Sequence, residues 1–312
     1  MAKTKFCAGL SDISDSYMGF IIDDWGVFHD GEDAFPNTVD CLKELKERKK
    51  HIIILTNDRK RIPEKKAQLK KMGIGPSLYH DIVTPASVFD ETFGKKKKDL
   101  EPLNELGEQA YVITRRNDLS ILDDLDVEVT DDIERADFVL LLGMDYPMKT
   151  LEDYDVVIRR AVQRRLKAVC ANQDSHGLIG TNFLTGPGLL ARRYEDAGGI
   201  VHHIGKPHNF VFKYCIEKFK DKDIFPSHTV MLGDTMAHDV LGANSVGIDT
   251  CLFKSGLHAA NFMHCTTLKE VDNTLKNLII QYNNIMPTYL VDEMRWGNAL
   301  PDRKHKKRKQ PA

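Results

Sequence analysis

Three short apolar segments of this 312-residue chain each stop abruptly at a polar pair. Gly19–Ile22 runs into Asp23-Asp24, His51–Leu55 into Thr56-Asn57, and Thr229–Leu232 into Gly233-Asp234. Apolar runs of this length without polar alternation are typical of strands buried on both faces of a parallel sheet. Because the ligands of such sheets collect at the carboxyl ends of the strands, the polar pairs predict a site along one edge.

Helical segments alternate with these strands. Apolar residues at helical spacing, with capping and charge signals at the ends, predict helices at 36–50 and 63–72, and again at 207–220 and 268–284. Alternation of this kind around uninterrupted apolar strands predicts an α/β fold with a parallel sheet covered on both faces.

The middle of the chain, from about 80 to 200, interrupts the pattern. It carries shorter strand-like and helix-like runs of its own, at 85–93, 111–114, 138–143, 151–165, 168–171 and 188–197. We interpret this part as a domain inserted into the α/β body. The predicted division is 1–80 and 202–290 for the two parts of the core, 81–201 for the insert, and 291–312 for a C-terminal extension.

The net charge of −2 combines two unlike parts of the chain. Residues 303–309 hold six basic residues and no acid, so residues 1–302 carry 38 basic against 46 acidic residues. We expect the residues beyond about 300 to be disordered, because an almost purely basic segment has nothing to bury. Such a tail predicts a weak contact with polyanions and leaves nuclear or anionic-surface targeting open.

Compartment and membrane class follow from what the sequence lacks. No apolar run approaches the roughly 20 residues of a membrane span. The N-terminal residues contain no apolar region typical of a secretory signal, and the six cysteines include no CxxC pair. We therefore expect reduced thiols and a cytoplasmic protein.

The polar strand ends offer the groups that phosphoryl transfer requires. Asp23 and Asp234 supply carboxylates for a hard divalent cation, and Thr56 supplies a hydroxyl for anionic oxygens. Lys206, just before a predicted helix, supplies an ammonium. Each residue alone has a plainer interpretation, since an aspartate at a strand end usually forms a turn and a lysine beside a proline usually lies exposed in a loop.

Four segments in this order resemble the haloacid dehalogenase superfamily, and within it the class IIA, NagD-like branch that includes 4-nitrophenylphosphatases. The segments are FIIDDWGVFHDG (20–31), ILTND (54–58), IGKPHNFVF (204–212) and MLGDTMAHDVLGANSVGIDT (231–250). The resemblance implies a Rossmann-like, doubly wound core and an inserted α/β cap of the C2 type. It also implies an Mg²⁺-dependent phosphatase that forms an aspartyl-phosphate.

The resemblance assigns roles to the matched residues. Asp23 would be the nucleophile, and Lys206 would neutralise it and the developing charge. Asp23, Asp234 and the backbone carbonyl of Trp25 would ligate Mg²⁺, with Asp239 as a further ligand or as an orienting residue. Thr56 and the Asn57 amide would hold the phosphoryl oxygens.

Position 25 departs from the common D-x-D form of the first motif. The chain has Asp23-Asp24-Trp25 and follows the subset that reads D-x-W-G-V-x-H-D-G, so an indole occupies the usual place of the general acid. Because side chains alternate in extended backbone, Asp24 should point away from the site. His29, Asp30 or a cap residue could donate the proton instead.

The inserted segment offers candidate substrate contacts. Residues 171–174 look like the A-T-N-P-D element of the NagD-like cap, which makes Asn172, Asp174 and His176 candidates, although a structural role is the more common one for such residues. The glycine-rich segment 180–188 lacks the end of a P-loop and is interpreted as a loop. Pairing of two copies through the cap is a further prediction.

The sequence is compatible with two functions. The first is an Mg²⁺-dependent phosphatase acting on a small phosphorylated metabolite, with activity restricted by Trp25. The alternative is a catalytically weak protein of the same fold with a binding or regulatory role. General acid catalysis typically contributes about 10²–10⁴-fold, which is the size of the effect that Trp25 puts in question.

Overall fold

The computed structural model describes residues 3–94, 100–171, 176–179 and 182–297. The strands are β1 Lys5–Phe6, β2 Gly19–Ile22, β3 His51–Leu55, β4 Asp81–Val83, β5 Gln109–Ile113, β6 Glu128–Thr130, β7 Phe138–Leu141, β8 Lys167–Cys170, β9 His176–Ile179, β10 Asn182–Thr185, β11 Ile200–His203, β12 Thr229–Gly233, β13 Asp249–Phe253 and β14 Tyr289–Val291. The helices are α1 Thr38–Glu47, α2 Ile62–Lys71, α3 Pro85–Phe93, α4 Asp155–Gln163, α5 Pro187–Asp196, α6 Asn209–Phe219, α7 Leu241–Ser245, α8 Ala259–Phe262 and α9 Leu268–Gln281.

Seven strands form a parallel sheet in the order β1-β14-β13-β12-β2-β3-β4. The three strands that end in polar pairs, β12, β2 and β3, are immediate neighbours at the centre of this sheet. Leu232 is in register with Ile22, and Ile22 with Ile54, so the polar residues that follow these strands meet at one edge.

The two faces of this sheet are buried in separate apolar clusters. Phe20, Ile22 and Ile54 face one cluster together with residues of α1 and the N-terminal segment. Ile21 and Ile53 face another, which includes residues of α3 and α6. Burial on both faces explains why these strands carry no polar alternation, and it confirms the predicted α/β class.

A second parallel sheet is built from the middle of the chain, in the order β11-β8-β7-β5-β6. Helices α4 and α5 cover one face of it. The other face contributes Phe138 and Val169 to the same apolar cluster as the central strands of the first sheet. The two sheets therefore share a continuous apolar contact.

Several short strands were not predicted from the sequence. Among them, β4 belongs to the first sheet and β11 to the second. β10, within the segment expected to be a loop, pairs with β9 in an antiparallel hairpin. Local sequence does not reveal such short strands, because their pairing depends on partners elsewhere in the chain.

The start of the predicted C-terminal extension packs on the core. β14 pairs with both β1 and β13, and Met294 is buried. The Leu10 backbone N–H donates to the carbonyl of Arg295 at 2.9 Å. The basic run 303–309 lies outside the described residues. No helix among the described residues is long and apolar enough to cross a bilayer.

Candidate active site

Three buried carboxylates converge at the carboxyl edge of the first sheet. Asp23 follows β2, Asp234 follows β12, and Asp239 lies in the single π-helical turn 236–240 after β12. One oxygen of each lies within 4.8 Å of the others. Burial, with the charges of Asp239 and Asp234, raises the pKa of Asp23 well above its usual value, and burial with the charge of Asp239 raises the pKa of Asp234 to about 6. Burial and mutual repulsion therefore disfavour ionisation of both carboxylates.

Lys206 is the buried cation of this cluster. Its Nζ lies 2.6 Å from Asp23 Oδ1 and 2.7 Å from Asp239 Oδ1. Burial alone would lower the pKa of the ammonium, but Asp23 and Asp239 raise it above the ordinary value, so Lys206 carries its charge. The structure thus places the predicted lysine directly against the predicted nucleophile.

Asn57 fixes the position of the Lys206 backbone. The Lys206 N–H donates to Asn57 Oδ1 at 2.8 Å, and Asn57 Nδ2 donates to the Lys206 carbonyl at 3.1 Å. The side-chain amide is therefore committed to the chain, which leaves the backbone N–H of Asn57 for the predicted phosphoryl contact. Thr56 is buried beside it, and its Oγ1 accepts the Asp58 N–H at 3.1 Å.

Asp239 is held through both of its oxygens. Oδ2 accepts from the Thr235 N–H at 3.0 Å and from Thr235 Oγ1 at 2.6 Å, while Oδ1 meets Lys206. Thr235 also caps the π-helical turn, since its Oγ1 accepts the Asp239 N–H. Of the two roles that the sequence left open for Asp239, this arrangement favours the orienting one.

Asp234 sits in a cradle of backbone. Its Oδ2 accepts the Leu257 N–H at 2.7 Å. Gly26 and Gly256 approach this oxygen so closely that a Cβ would lie 2.3 Å and 2.1 Å away, and both have positive φ, of 84° and 76°. Glycine is needed at both positions because any side chain would collide with the carboxylate.

Asp24 points away from the cluster, as alternation along the strand predicts. It is fully buried and contacts the Lys65 ammonium and His29 Nε2, the latter at 3.0 Å. Burial alone would raise the pKa of Asp24, but the His29 hydrogen bond and the Lys65 charge lower it to about 2. Asp24 is therefore an ionised structural residue and not a substitute for the missing acid.

His29 and Asp30, which follow in the same loop, are also engaged in hydrogen bonds. His29 Nδ1 accepts the Gly31 N–H at 3.0 Å, and its Nε2 lies 3.0 Å from Asp24 Oδ1. Asp30 Oδ1 accepts the N–H groups of Asp33 and Glu32, and these bonds lower its pKa. Both side chains are therefore held by other groups of this loop.

The second sheet reaches the site through its carboxyl edge. Arg59, three residues beyond Thr56, donates from Nη1 to the carbonyl of Leu142 at the end of β7. Of the predicted substrate contacts, Asn172 and Asp174 lie outside the described residues. His176 begins β9.

Sequence analysis missed Lys65, which is buried in α2 and joins the loops that follow β2 and β3. Its Nζ contacts Asp24 and lies 3.1 Å from Asp58 Oδ2 and 3.2 Å from Gln68 Oε1. Helix α2 contains four lysines, and its sequence does not show which one turns inward. The one usable signal was that Lys65 comes one helical turn before the buried Leu69, on the same face.

Two family models match the chain. A haloacid dehalogenase-like hydrolase model matches residues 20–128, and a HAD-hydrolase-like model matches residues 203–278. The first match includes Asp23 and Thr56, and the second includes Lys206, Asp234 and Asp239. The chain belongs to the haloacid dehalogenase-like hydrolases.

Relatives and solved structures agree with this assignment. The 5'-nucleotidase YutF of Bacillus subtilis is 24% identical over 243 residues, which are 78% of this chain and 89% of that protein. A haloacid dehalogenase-like hydrolase from Brucella suis 1330 has a TM-score of 0.69 at 25% identity, over 92% of this chain and 98% of its own. NagD from E. coli K-12 shares the fold, with a TM-score of 0.63 at 18% identity over 89% and 97%. The fold that the resemblance implied is confirmed.

The residues of the cluster fit a divalent cation. With all three carboxylates ionised and Lys206 charged, the cluster would carry a net charge of −2, which a divalent cation would offset. The donors are all oxygens, which hard cations such as Mg²⁺ prefer. Among the described residues, these three form the group of acidic side chains close enough together to hold a metal ion.

Proposed function

We propose that the protein is an Mg²⁺-dependent phosphoric monoester hydrolase that acts on a small phosphorylated metabolite. The observation that carries the proposal is the contact of Lys206 Nζ with Asp23 Oδ1 at 2.6 Å, inside a buried cluster of three carboxylates. A lysine in this place favours the ionised form of Asp23 and adds positive charge where an anionic substrate binds. The phosphatase and nucleotidase names of its relatives support the same reaction class.

The residues divide the reaction into two steps. Asp23 attacks phosphorus and the bond to the leaving oxygen breaks, which gives an aspartyl-phosphate; water then attacks this phosphorus and regenerates the carboxylate. Lys206 stabilises the charge that builds up on the phosphoryl oxygens. The Thr56 hydroxyl and the Asn57 N–H orient those oxygens.

Asp23, Asp234 and the Trp25 carbonyl would hold the cation, with Asp239 orienting Lys206 and Thr235. The approach of Gly26 to Asp234 supports this assignment, because it brings the Trp25–Gly26 peptide beside the carboxylate. When bound, Mg²⁺ supplies positive charge that offsets the negative charge of the transferring phosphoryl group.

The missing acid restricts the substrates. Trp25 occupies the usual position of the acid, and Asp24, His29 and Asp30 are all engaged elsewhere. We propose that turnover is substantial only for leaving groups that depart without a proton, such as aryl or acyl oxygens. The alternative is a protein that binds Mg²⁺ and phosphate with little turnover and acts through binding.

A phosphatase screen against aryl, acyl and alkyl phosphates tests the proposal. Turnover should require Mg²⁺, disappear with EDTA and be lost in Asp23→Asn. The matched control is Asp33→Asn, an exposed aspartate of the same loop, which should keep full activity. Absence of turnover on every class, with Mg²⁺ binding retained, would favour the binding role instead.

Several sequence predictions accompany this proposal. We propose a cap built around the second sheet, with Asn172, Asp174 and His176 contacting the leaving group, and a homodimer formed through it. Raised KM in Asp174→Asn without a change in stability would support the contact role. We also propose a cytoplasmic protein whose basic tail binds polyanions weakly; deletion of 303–312 should leave turnover unchanged and reduce retention on heparin.

A further inference from the structure

Trp25 is an exposed tryptophan in an otherwise buried loop. It is 57% exposed, whereas Asp23, Asp24 and residues 26–29 are buried. Burial of an aromatic side chain contributes more free energy to folding than burial of most other side chains. An indole left in water at the carboxyl edge of the first sheet does not make this contribution. An exposed aromatic in such a place is typical of a surface that contacts a ligand.

The backbone around Trp25 is hydrogen-bonded, and its indole packs against Gly31. Gly31 has a φ of 108°, and a Cβ there would lie only 3.1 Å from Trp25 Nε1, so the N–H edge of the ring packs against bare backbone. The Gly26 N–H donates to the His29 carbonyl at 2.9 Å, and Trp25 pairs with His29 in an isolated bridge. His29 is itself fixed by Asp24 and Gly31. A ring anchored in this way loses little freedom when it binds.

A second exposed apolar side chain flanks the same carboxylate. Leu257 is 58% exposed, and its N–H donates to Asp234 Oδ2. Gly26, next to Trp25, lies against this same oxygen. The backbone segments that carry Trp25 and Leu257 therefore meet at one atom of the acidic cluster.

We propose that Trp25, flanked by Leu257, is the platform on which the planar ring of an aryl phosphate stacks; this inference rests on the proposed function. In an aryl ester the ring is bonded directly to the bridging oxygen, which suits a platform two residues from the nucleophile. When Asp23 attacks phosphorus, the bridging P–O bond breaks and its electron pair stays on the phenolate oxygen. No protonation of the leaving group is needed. This is consistent with a loop in which His29 and Asp30 accept hydrogen bonds from backbone N–H groups.

Ligand binding tests the platform without turnover. The chain contains two tryptophans, so Trp296→Phe leaves Trp25 as the sole indole fluorophore. With Mg²⁺ present, phenylphosphonate should bind about threefold to tenfold more tightly than methylphosphonate, the range expected for one aromatic pair, and should change the Trp25 emission. Trp25→Leu should remove this preference and Trp25→Phe should retain most of it. Equal affinity for the two phosphonates in the wild type would overturn the inference.

Kinetics separates the platform from the phosphatase activity itself. 4-Nitrophenyl phosphate and acetyl phosphate both lose groups that leave unprotonated, but only the first carries a ring. Trp25→Leu should raise KM for the aryl ester severalfold more than KM for acetyl phosphate. An equal rise in KM for both substrates would rule out the platform and leave the phosphatase proposal intact. If the wild type turns over neither substrate but prefers phenylphosphonate, only the phosphatase proposal is ruled out.

Discussion

The ammonium of Lys65 contacts the carboxylate of Asp24 where neither side chain meets solvent; the two are 1% and 0% exposed. The contact joins helix α2 to the residue that directly follows Asp23. Lys65 also lies 3.1 Å from Asp58 Oδ2, two residues beyond Thr56. One buried cation therefore connects the loop of the proposed nucleophile with the loop of the proposed phosphoryl contacts.

Lys65→Met should destabilise the protein by about 3–5 kcal/mol, because it leaves Asp24 as a buried carboxylate without its main counter-charge. Urea unfolding measures the change. Lys65→Met combined with Asp24→Asn should be less destabilised than the sum of the single variants, with a coupling of about 0.5–3 kcal/mol. Strictly additive effects would show that the two residues do not act as a pair.

Mg²⁺ should stabilise the wild type and not Asp234→Asn. A ligand present at about 100 times its Kd adds about 2.7 kcal/mol to the free energy of unfolding. Without Mg²⁺, Asp234→Asn should be at least as stable as the wild type, because it removes repulsion from the carboxylate cluster. The amide oxygen of the new asparagine can still accept the Leu257 N–H. Thermal unfolding of each variant with and without Mg²⁺ measures both the stabilisation by Mg²⁺ and the stability in its absence. Asp33→Asn is the matched control, and an equal Mg²⁺ response in both variants would contradict the site.

Trp25→Asp should raise kcat on an alkyl phosphate by about 10²-fold, the lower end of what a general acid contributes. Trp25→Asn is the control, because asparagine has nearly the same shape as aspartate but no acidic proton. The comparison is made by steady-state kinetics on one alkyl and one aryl ester, and the gain should be confined to the alkyl one. If Trp25→Asp and Trp25→Asn behave alike, the missing-acid account is wrong.

His80 should make the fold less stable in mild acid. Its Nδ1 accepts the Ile52 N–H at 3.0 Å, and burial together with nearby His51 and Lys46 lowers its pKa to about 4. Between the unfolded value of about 6.5 and about 4, the unfolded chain binds more protons than the folded one, so stability is lost as pH falls through this range.

His80→Asn isolates the effect, because the amide oxygen can still accept the Ile52 N–H but does not titrate. Between pH of about 6.5 and 4, the free energy of unfolding should depend less steeply on pH. The decrease in slope should correspond to the loss of up to one proton taken up on unfolding. His264→Asn, at an exposed histidine, serves as the comparison. An unchanged slope in His80→Asn would exclude His80 as a source of acid sensitivity.

Much of the site could be predicted because its residues lie at the ends of strands. Asp23, Thr56 and Asp234 follow β2, β3 and β12, and parallel neighbours bring their carboxyl ends to one edge. The direction of Asp24 followed from alternation along an extended segment. The shortest strands were harder: β4, β6 and β14 have only three residues each, and their pairing depends on neighbours distant in sequence.

The sequence by itself determined the α/β class, the family resemblance and the positions of the proposed nucleophile, lysine and acidic residues, because short-range patterns of burial and spacing encode them. Only the tertiary structure decided which charges are paired. It placed Lys206 between Asp23 and Asp239, buried Lys65 against Asp24, committed the Asn57 side chain to Lys206, and left Trp25 in solvent. Electrostatic pairing depends on distances of a few ångströms between segments far apart in the chain, and no local pattern specifies those distances.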